Sequence, residues 1–290
     1  MSIFIQILFN SLETGSILAL ATMGIILIFR TSKAFNYAQG AISMFCAFIA
    51  AYFMANTGAN VFISTIVGVL GAVGVGVIID RVVIKRMIKL HSVSKQIVTL
   101  GLVIVFLGLA PMFFGNIPYT YRRFAQGTHS IFGATITYSA MVNIAIGIAI
   151  MVALFFVIQK TKWGLAVRAT ASNDVVARMM GIPTSIVTMG AWAVAAALGS
   201  LAAMMVAPTT TVNFVMMDSI QITALLACVL GGLGTFFGPV FAAYLIALAR
   251  NLISFYISSV WADAIVYLLI LGILLISPNG IFGKKLVKKV

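Results

Sequence analysis

The chain has 290 residues, of which 62 % are hydrophobic and only 8 % charged. A soluble domain carries about 25 % charged residues, so this composition rules against a water-exposed globular fold and points to lipid as the solvent. The net charge of +13 would suit nucleic acid if the cations covered one surface, but they form short clusters between apolar runs, which argues against that partner.

A membrane span needs about 20 apolar residues. Runs that approach this length are Phe9–Phe29, Phe35–Met54, Val61–Ile79, Ile97–Phe114, Tyr138–Ile158, Ser185–Ala207, Ser219–Ala249 and Leu252–Ile276. The expected fold is all-α: a polytopic integral membrane protein with about eight hydrophobic segments, forming a single transmembrane domain over residues 1–290. No basic start followed by a short apolar stretch and a small-residue cleavage site is present, so the first run is expected to be retained. Cys46 and Cys228 each lie in an apolar run and read as small buried hydrophobes.

The basic residues give an orientation. Arg30 and Lys33 follow the first run; Arg81, Lys85, Arg86, Lys89 and Lys95 follow the third; Lys160, Lys162, Arg168 and Arg178 follow the fifth; Lys284, Lys285, Lys288 and Lys289 close the chain. All four groups are expected in the cytoplasm, with the N-terminus outside and the C-terminus inside. Arg122, Arg123 and Arg250 do not fit this division. It also demands an odd number of crossings after the outer loop Pro208–Asp218, so Ser219–Ala249 must either cross twice or dip and return. The middle of that stretch, Gly231-Gly232-Leu233-Gly234-Thr235-Phe236-Phe237-Gly238-Pro239, breaks a helix. Backbone broken at membrane depth is tolerated where it is buried in protein or lines a cavity, which makes this segment a candidate for the translocation path.

No GxxxxGK[ST] loop is present, so a nucleotide site of that kind is not expected. The five acids, Glu13, Asp80, Asp174, Asp218 and Asp263, form no close pair in sequence suited to acid–base work, which disfavours a membrane-embedded enzyme. For an ion-coupled secondary transporter, Glu13 and Asp263 are the acids to consider inside spans. The cytoplasmic loop 159–184 is more distinctive. Its core, Trp163 to Pro183, reads as one or two short amphipathic helices with Leu165, Ala169, Val176, Met179 and Met180 on one face, charged by Arg168 and Arg178 and ended by Gly181 and Pro183. Such a segment lies on a membrane surface or docks in a partner's groove, and amphipathicity alone leaves both open.

This loop resembles the coupling loop of permease subunits in the branched-chain amino-acid (Liv-type) ABC importers, with a G-x-A-x-R-A pattern at Gly164, Ala166, Arg168 and Ala169, then Ala177 and the Gly181-Ile182 pair. The family often has Asp where this chain has Asn173; the acid here is Asp174. Further likeness runs along the chain: Gly15–Leu20, Phe35–Ala41, Leu230–Gly234 with Gly238-Pro239, and Pro278–Gly283. The resemblance implies one permease subunit of a multi-chain importer for small amphipathic solutes, branched-chain or related amino acids first, with urea or short amides as alternatives. It implies as partners a second permease (a similar chain or a second copy), two cytoplasmic ATPases that hold the ATP and magnesium, an extracytoplasmic solute-binding protein, and lipid, with no cofactor on this chain. The expected ATPase-coupling residues are Gly164, Leu165, Arg168, Ala169, Asp174, Ala177, Arg178, Gly181 and Ile182. The expected path residues are Asn36, Tyr37, Gln39, Gly40, Gly231, Gly232 and Gly234, joined by the outer-loop Thr209, Thr210, Thr211 and Asn213. Read as structure instead, the same residues serve as caps and packing glycines.

Overall fold

A computed structural model describes residues 2–87, 91–131 and 134–283. Helices α1 (Ser2–Ser32), α2 (Gln39–Thr57) and α3 (Val61–Val82), a 3-10 turn (Ile84–Met87) and α4 (Ser92–Phe114) come first. A hairpin of β1 (Thr128–Ile131) and β2 (Ala134–Thr137) then precedes α5 (Tyr138–Lys160). Two short helices, α6 (Lys162–Ser172) and α7 (Asp174–Met179), lead into α8 (Thr184–Thr210), α9 (Asp218–Gly231), α10 (Phe237–Tyr256) and α11 (Ala262–Ile276). Among the described residues, seven helices are long and apolar enough to cross a bilayer, and α9 and α11 are shorter apolar helices. The chain is thus the helical, multi-pass membrane protein its composition calls for.

Helix α1 is the axis of the bundle, buried without interruption from Gly15 to Ile28. A helix apolar on every side belongs in a core or a membrane. Helix α8 packs beside it and carries small residues, Ala191, Ala195, Gly199 and Ala202, toward its neighbours. On α3, Gly76 sits so close to α8 that an added Cβ would lie 2.6 Å from the Trp192 carbonyl oxygen. Small residues let helix backbones approach in lipid, where burial of apolar surface gives no drive of its own. The outward sides of α3, α4 and α5 expose Ile66, Leu70, Ile104, Met112, Val152 and Phe156, as lipid-facing helices do.

The two ends of the bundle differ. Lys33, Lys85, Lys95, Lys160 and α6–α7 mark a basic end, and the hairpin with Arg122 and Arg123 marks the other. Helix α10 runs antiparallel to α1, since Ser16 meets Tyr244 (2.9 Å) while Asn251 donates to Ser11 (3.0 Å). Leaving α11, the chain returns to the end of α9, where the Ile281 N–H donates to the Leu230 carbonyl (2.7 Å). Among the described residues three helices therefore follow Met217, and Ser219–Ala249 is divided between α9 and α10.

Several segments differ from the apolar runs read in the sequence. Helix α10 continues through Leu252 to Tyr256 and α11 begins at Ala262, so the last run is not one segment from Leu252. The turn between them, Ile257-Ser258-Ser259-Val260-Trp261, is marked only by its two serines, too little to divide the apolar run. Between α4 and α5, the segment Gly115–Thr137 contains the hairpin, paired from Thr128↔Thr137 to Ile131↔Ala134. Helix α2 begins at Gln39 rather than Phe35, and the Gly-rich break lies beside Arg30, whose guanidinium stands 4.4 Å over the Phe236 ring, at the basic end. Arg250, the misfit among the cations, is paired with Asp263 (Nε–Oδ1 2.6 Å) where α10 and α11 meet. Of the four expected basic groups, Lys89 and the closing lysines Lys284, Lys285, Lys288 and Lys289 lie outside the described residues.

Candidate functional site: the α6–α7 platform and the α2–α9 groove

At the basic end, α5 turns sharply into α6. Thr161 caps α6 by accepting from the Gly164 N–H (3.0 Å). A Cβ at Gly164 would stand 2.3 Å from the carbonyl oxygens of Val157 and Ile158, so only glycine permits this elbow. Asn173 ends α6 and starts α7, its side-chain oxygen accepting from Val175 (3.0 Å) and Val176 (3.1 Å). An Asn caps as well as the Asp common in the related family. Asp174 pairs with Arg178 one turn on, so that acid is spent within α7. The end of α7 is a Schellman motif: Gly181 at φ 80° donates to Arg178 and Ile182 donates to Ala177, both at 3.0 Å.

The platform is fixed to the bundle on one side. Val167 is fully buried with Leu27 of α1 and with Val187 and Ala191 of α8, and Ile182 packs against them. Arg168 turns back to α5, donating to the Gln159 side chain (2.8 Å) and the Gln159 carbonyl (3.4 Å) near the helix C-terminus, where a cation is favoured. Lys33 donates to the Ala171 carbonyl at the end of α6. Burial, and then the neighbouring Arg30, hold the Lys33 pKa below the usual lysine range. Gly164 and Ala177 are buried in this base and Ala169 is half-buried. The other side of the platform is bare: Leu165, Val175 and Val176 are exposed, and Met179 and Met180 are 79 % and 77 % exposed. Of the expected apolar face, Leu165, Val176, Met179 and Met180 are exposed, Val175 joins them and Ala169 does not, while Arg168 braces the platform from behind.

A second feature lies inside the bundle, where two non-helical segments meet. Residues 33–38 lead from α1 back into the bundle before α2 begins. The Tyr37 N–H donates to Thr99 (3.2 Å), seven residues into α4 and roughly 10 Å along it. Gln39 donates to the Ala195 carbonyl (2.6 Å), eleven residues into α8 and roughly 16 Å along it. From the hairpin end, Val212 pairs with Tyr119, Phe214 stacks on Phe48 (5.2 Å), and Met217 reaches Gly40. Gln221 then donates to the Asn36 carbonyl (3.1 Å), joining the two segments.

Asn36 and Gln39 are buried and bonded. The Asn36 amide donates to Gln39 (3.1 Å) and its oxygen accepts from the Ala38 N–H (3.0 Å), so these two supply partners that missing helix bonds would have given. Tyr37 and Gly40 instead line a groove with Met44, Phe214, Asp218 and Gln221. Asp218 and Gln221 are the groove residues that reading the sequence missed; a polar pair opening an otherwise apolar helix was the available signal. The glycines of 231–239 are elsewhere. A Cβ on Gly231 would lie 2.2 Å from Gly238 and Pro239 backbone atoms, Gly232 (φ 89°) packs on Gly283, and Gly234 faces open space. Thr210 and Thr211 are exposed where the chain leaves α8, Thr209 lines a pocket at the hairpin end, and Asn213 donates to the Thr210 carbonyl (3.1 Å). Among the acids, Glu13 accepts from Asn143 (2.7 Å), and Asp80 in α3, 3 % exposed, is the buried acid that reading the sequence did not single out.

The sequence has relatives among known proteins. Residues 7–275 match the family model of the branched-chain amino acid transport system permease component. The chain is 24 % identical over 96 % of its length to 92 % of a probable branched-chain amino acid transport permease protein LivH of Methanocaldococcus jannaschii. It is 26 % identical over 99 % of its length to 98 % of the high-affinity permease proteins LivH of Salmonella typhimurium and BraD of Pseudomonas aeruginosa. Among solved structures, a chain of PsaBC from Streptococcus pneumoniae in complex with a Fab is similar with a TM-score of 0.48 and 15 % identity, covering 92 % of this chain and 89 % of that one. With the family model spanning nearly the whole sequence, the chain belongs to the permease components of branched-chain amino acid transport systems.

Proposed function

We propose that this permease works in an ABC-type importer, moving branched-chain or related amino acids into the cytoplasm with ATP hydrolysed by partner subunits. The observation that carries this reading is the α6–α7 platform: an exposed apolar face of Leu165, Val175, Val176, Met179 and Met180 on a base fixed to α1, α5 and α8. Two cytoplasmic ATPases, carrying the ATP and magnesium, dock there. Their closure pushes the platform, and Val167, Lys33 and Arg168 pass the motion as rigid packing to the helices around the groove. The basic end faces the cytoplasm in this reading, with the N-terminus outside. A second permease, similar or identical, completes the path along the α2–α9 groove, and an extracytoplasmic binding protein delivers the solute.

Ion coupling is the weaker alternative: with Asp263 held by Arg250 it would fall to Glu13 and the buried Asp80, and it leaves the exposed platform face without a role. The test is co-purification from membranes. ATPase subunits are expected with the native chain and are lost from the Met179→Glu/Met180→Glu double variant, which leaves the folded base intact. Retention of the ATPases by that variant, with normal uptake, overturns the platform assignment.

A further inference from the structure

At the hairpin end, a pocket lies between the first half of α1, the start of α5, the hairpin and the end of α8. It lies apart from both the groove and the platform. Glu13 and Arg123 both line it, yet they form no ion pair among the described residues. Opposite charges that share a cavity without touching leave room for a ligand that carries both. Asn143 sits beside Glu13, 2 % exposed, and gives its amide N–H to that carboxylate (2.7 Å). Its side-chain oxygen is buried without a partner and is therefore an acceptor awaiting a donor. Glu13 and the Asn143 oxygen together form an acceptor pair suited to an ammonium, and Arg123 offers a fork suited to a carboxylate. Phe9, Ile136, Met205 and Pro208 supply the apolar part of the wall.

We infer that this pocket is a receiving site for a zwitterionic α-amino acid with an apolar side chain, its ammonium on Glu13 and Asn143 and its carboxylate on Arg123. A simple metal cation fits less well, because Arg123 would repel it. The inference rests on the amino-acid reading proposed above and adds where on this chain the solute is first held. Residues that carry it come from the N-terminal helix, the segment that leads into β1, and α5, which explains why no local motif marks it.

The test is direct binding of radiolabelled L-leucine to the purified permease complex without its binding protein, alongside uptake in proteoliposomes with it. Leucine binding is expected to weaken at least tenfold in Glu13→Gln and in Arg123→Gln. Glu13→Gln keeps an acceptor for Asn143, and Arg123 is exposed in a loop, so both variants should melt like the native protein. Isopentylamine and 4-methylpentanoate, each lacking one charge, should compete at least tenfold more weakly than leucine. Unchanged leucine binding and uptake in both folded variants overturns the site and leaves the permease reading standing. A complete native complex that neither binds nor transports leucine overturns the amino-acid reading, and the site with it. Competition by isopentylamine equal to that of leucine overturns the carboxylate role of Arg123 and turns the site into one for cations.

Discussion

Two kinds of broken backbone occur in this permease, and they differ in what they are for. The Gly231–Pro239 elbow has four glycines and a proline in nine residues, and it closes a tight packing of α9 on α10 beside Arg30 at the basic end. The breaks at 33–38 and 211–217 contain no glycine at all, yet they reach into the bundle and line the groove. Glycine marks where two backbones touch. Inside lipid, non-helical backbone needs partners rather than space, so Asn36, Gln39 and Gln221 mark the second kind.

Substitutions can break this contrast, starting with the largest effect. Gly231→Val would place side-chain carbon on the Gly238 and Pro239 backbone; it should remove more than about 3 kcal/mol and leave little monodisperse protein by size exclusion in detergent. Gln39→Leu would leave the Ala195 carbonyl and Asn36 amide without their partner, for a loss of about 1–3 kcal/mol seen as a lower melting temperature. Gln221→Leu frees only the Asn36 carbonyl, so about 1 kcal/mol is expected, with a larger fractional loss of uptake than of stability because this bond joins the two segments at the groove. Gly234→Ala, in the same elbow as Gly231, meets nothing within 4 Å and should stay within about 0.5 kcal/mol of the native melt. A large effect at Gly234, or none at Gly231, would show that the elbow is not held by backbone contact.

The helices were legible because lipid imposes long apolar runs, and the platform because its helices keep a polar setting, with caps at Thr161 and Asn173 and a stop at Gly181. The groove was harder. Tyr37 and Gly40 were picked out as neighbours of an amide-rich start to a span, but their partners Asp218 and Gln221 are nearly 180 residues away, and no local pattern links the two segments. The glycine elbow was legible as a helix break, but composition says nothing of what the two backbones pack against. Arg250 looked misplaced because its partner Asp263 lies across a turn that only Ser258 and Ser259 mark within an apolar run.

The central claim is that a partner's ATP hydrolysis drives this chain through the α6–α7 platform. Leucine uptake by proteoliposomes containing the complete complex tests it most directly, with ATP or a non-hydrolysable analogue enclosed, for the native chain and for Met179→Glu/Met180→Glu. The account predicts uptake only with hydrolysable ATP and its loss in the double variant while the protein stays folded. Equal uptake without ATP, or full ATP-driven uptake by the double variant, would contradict it.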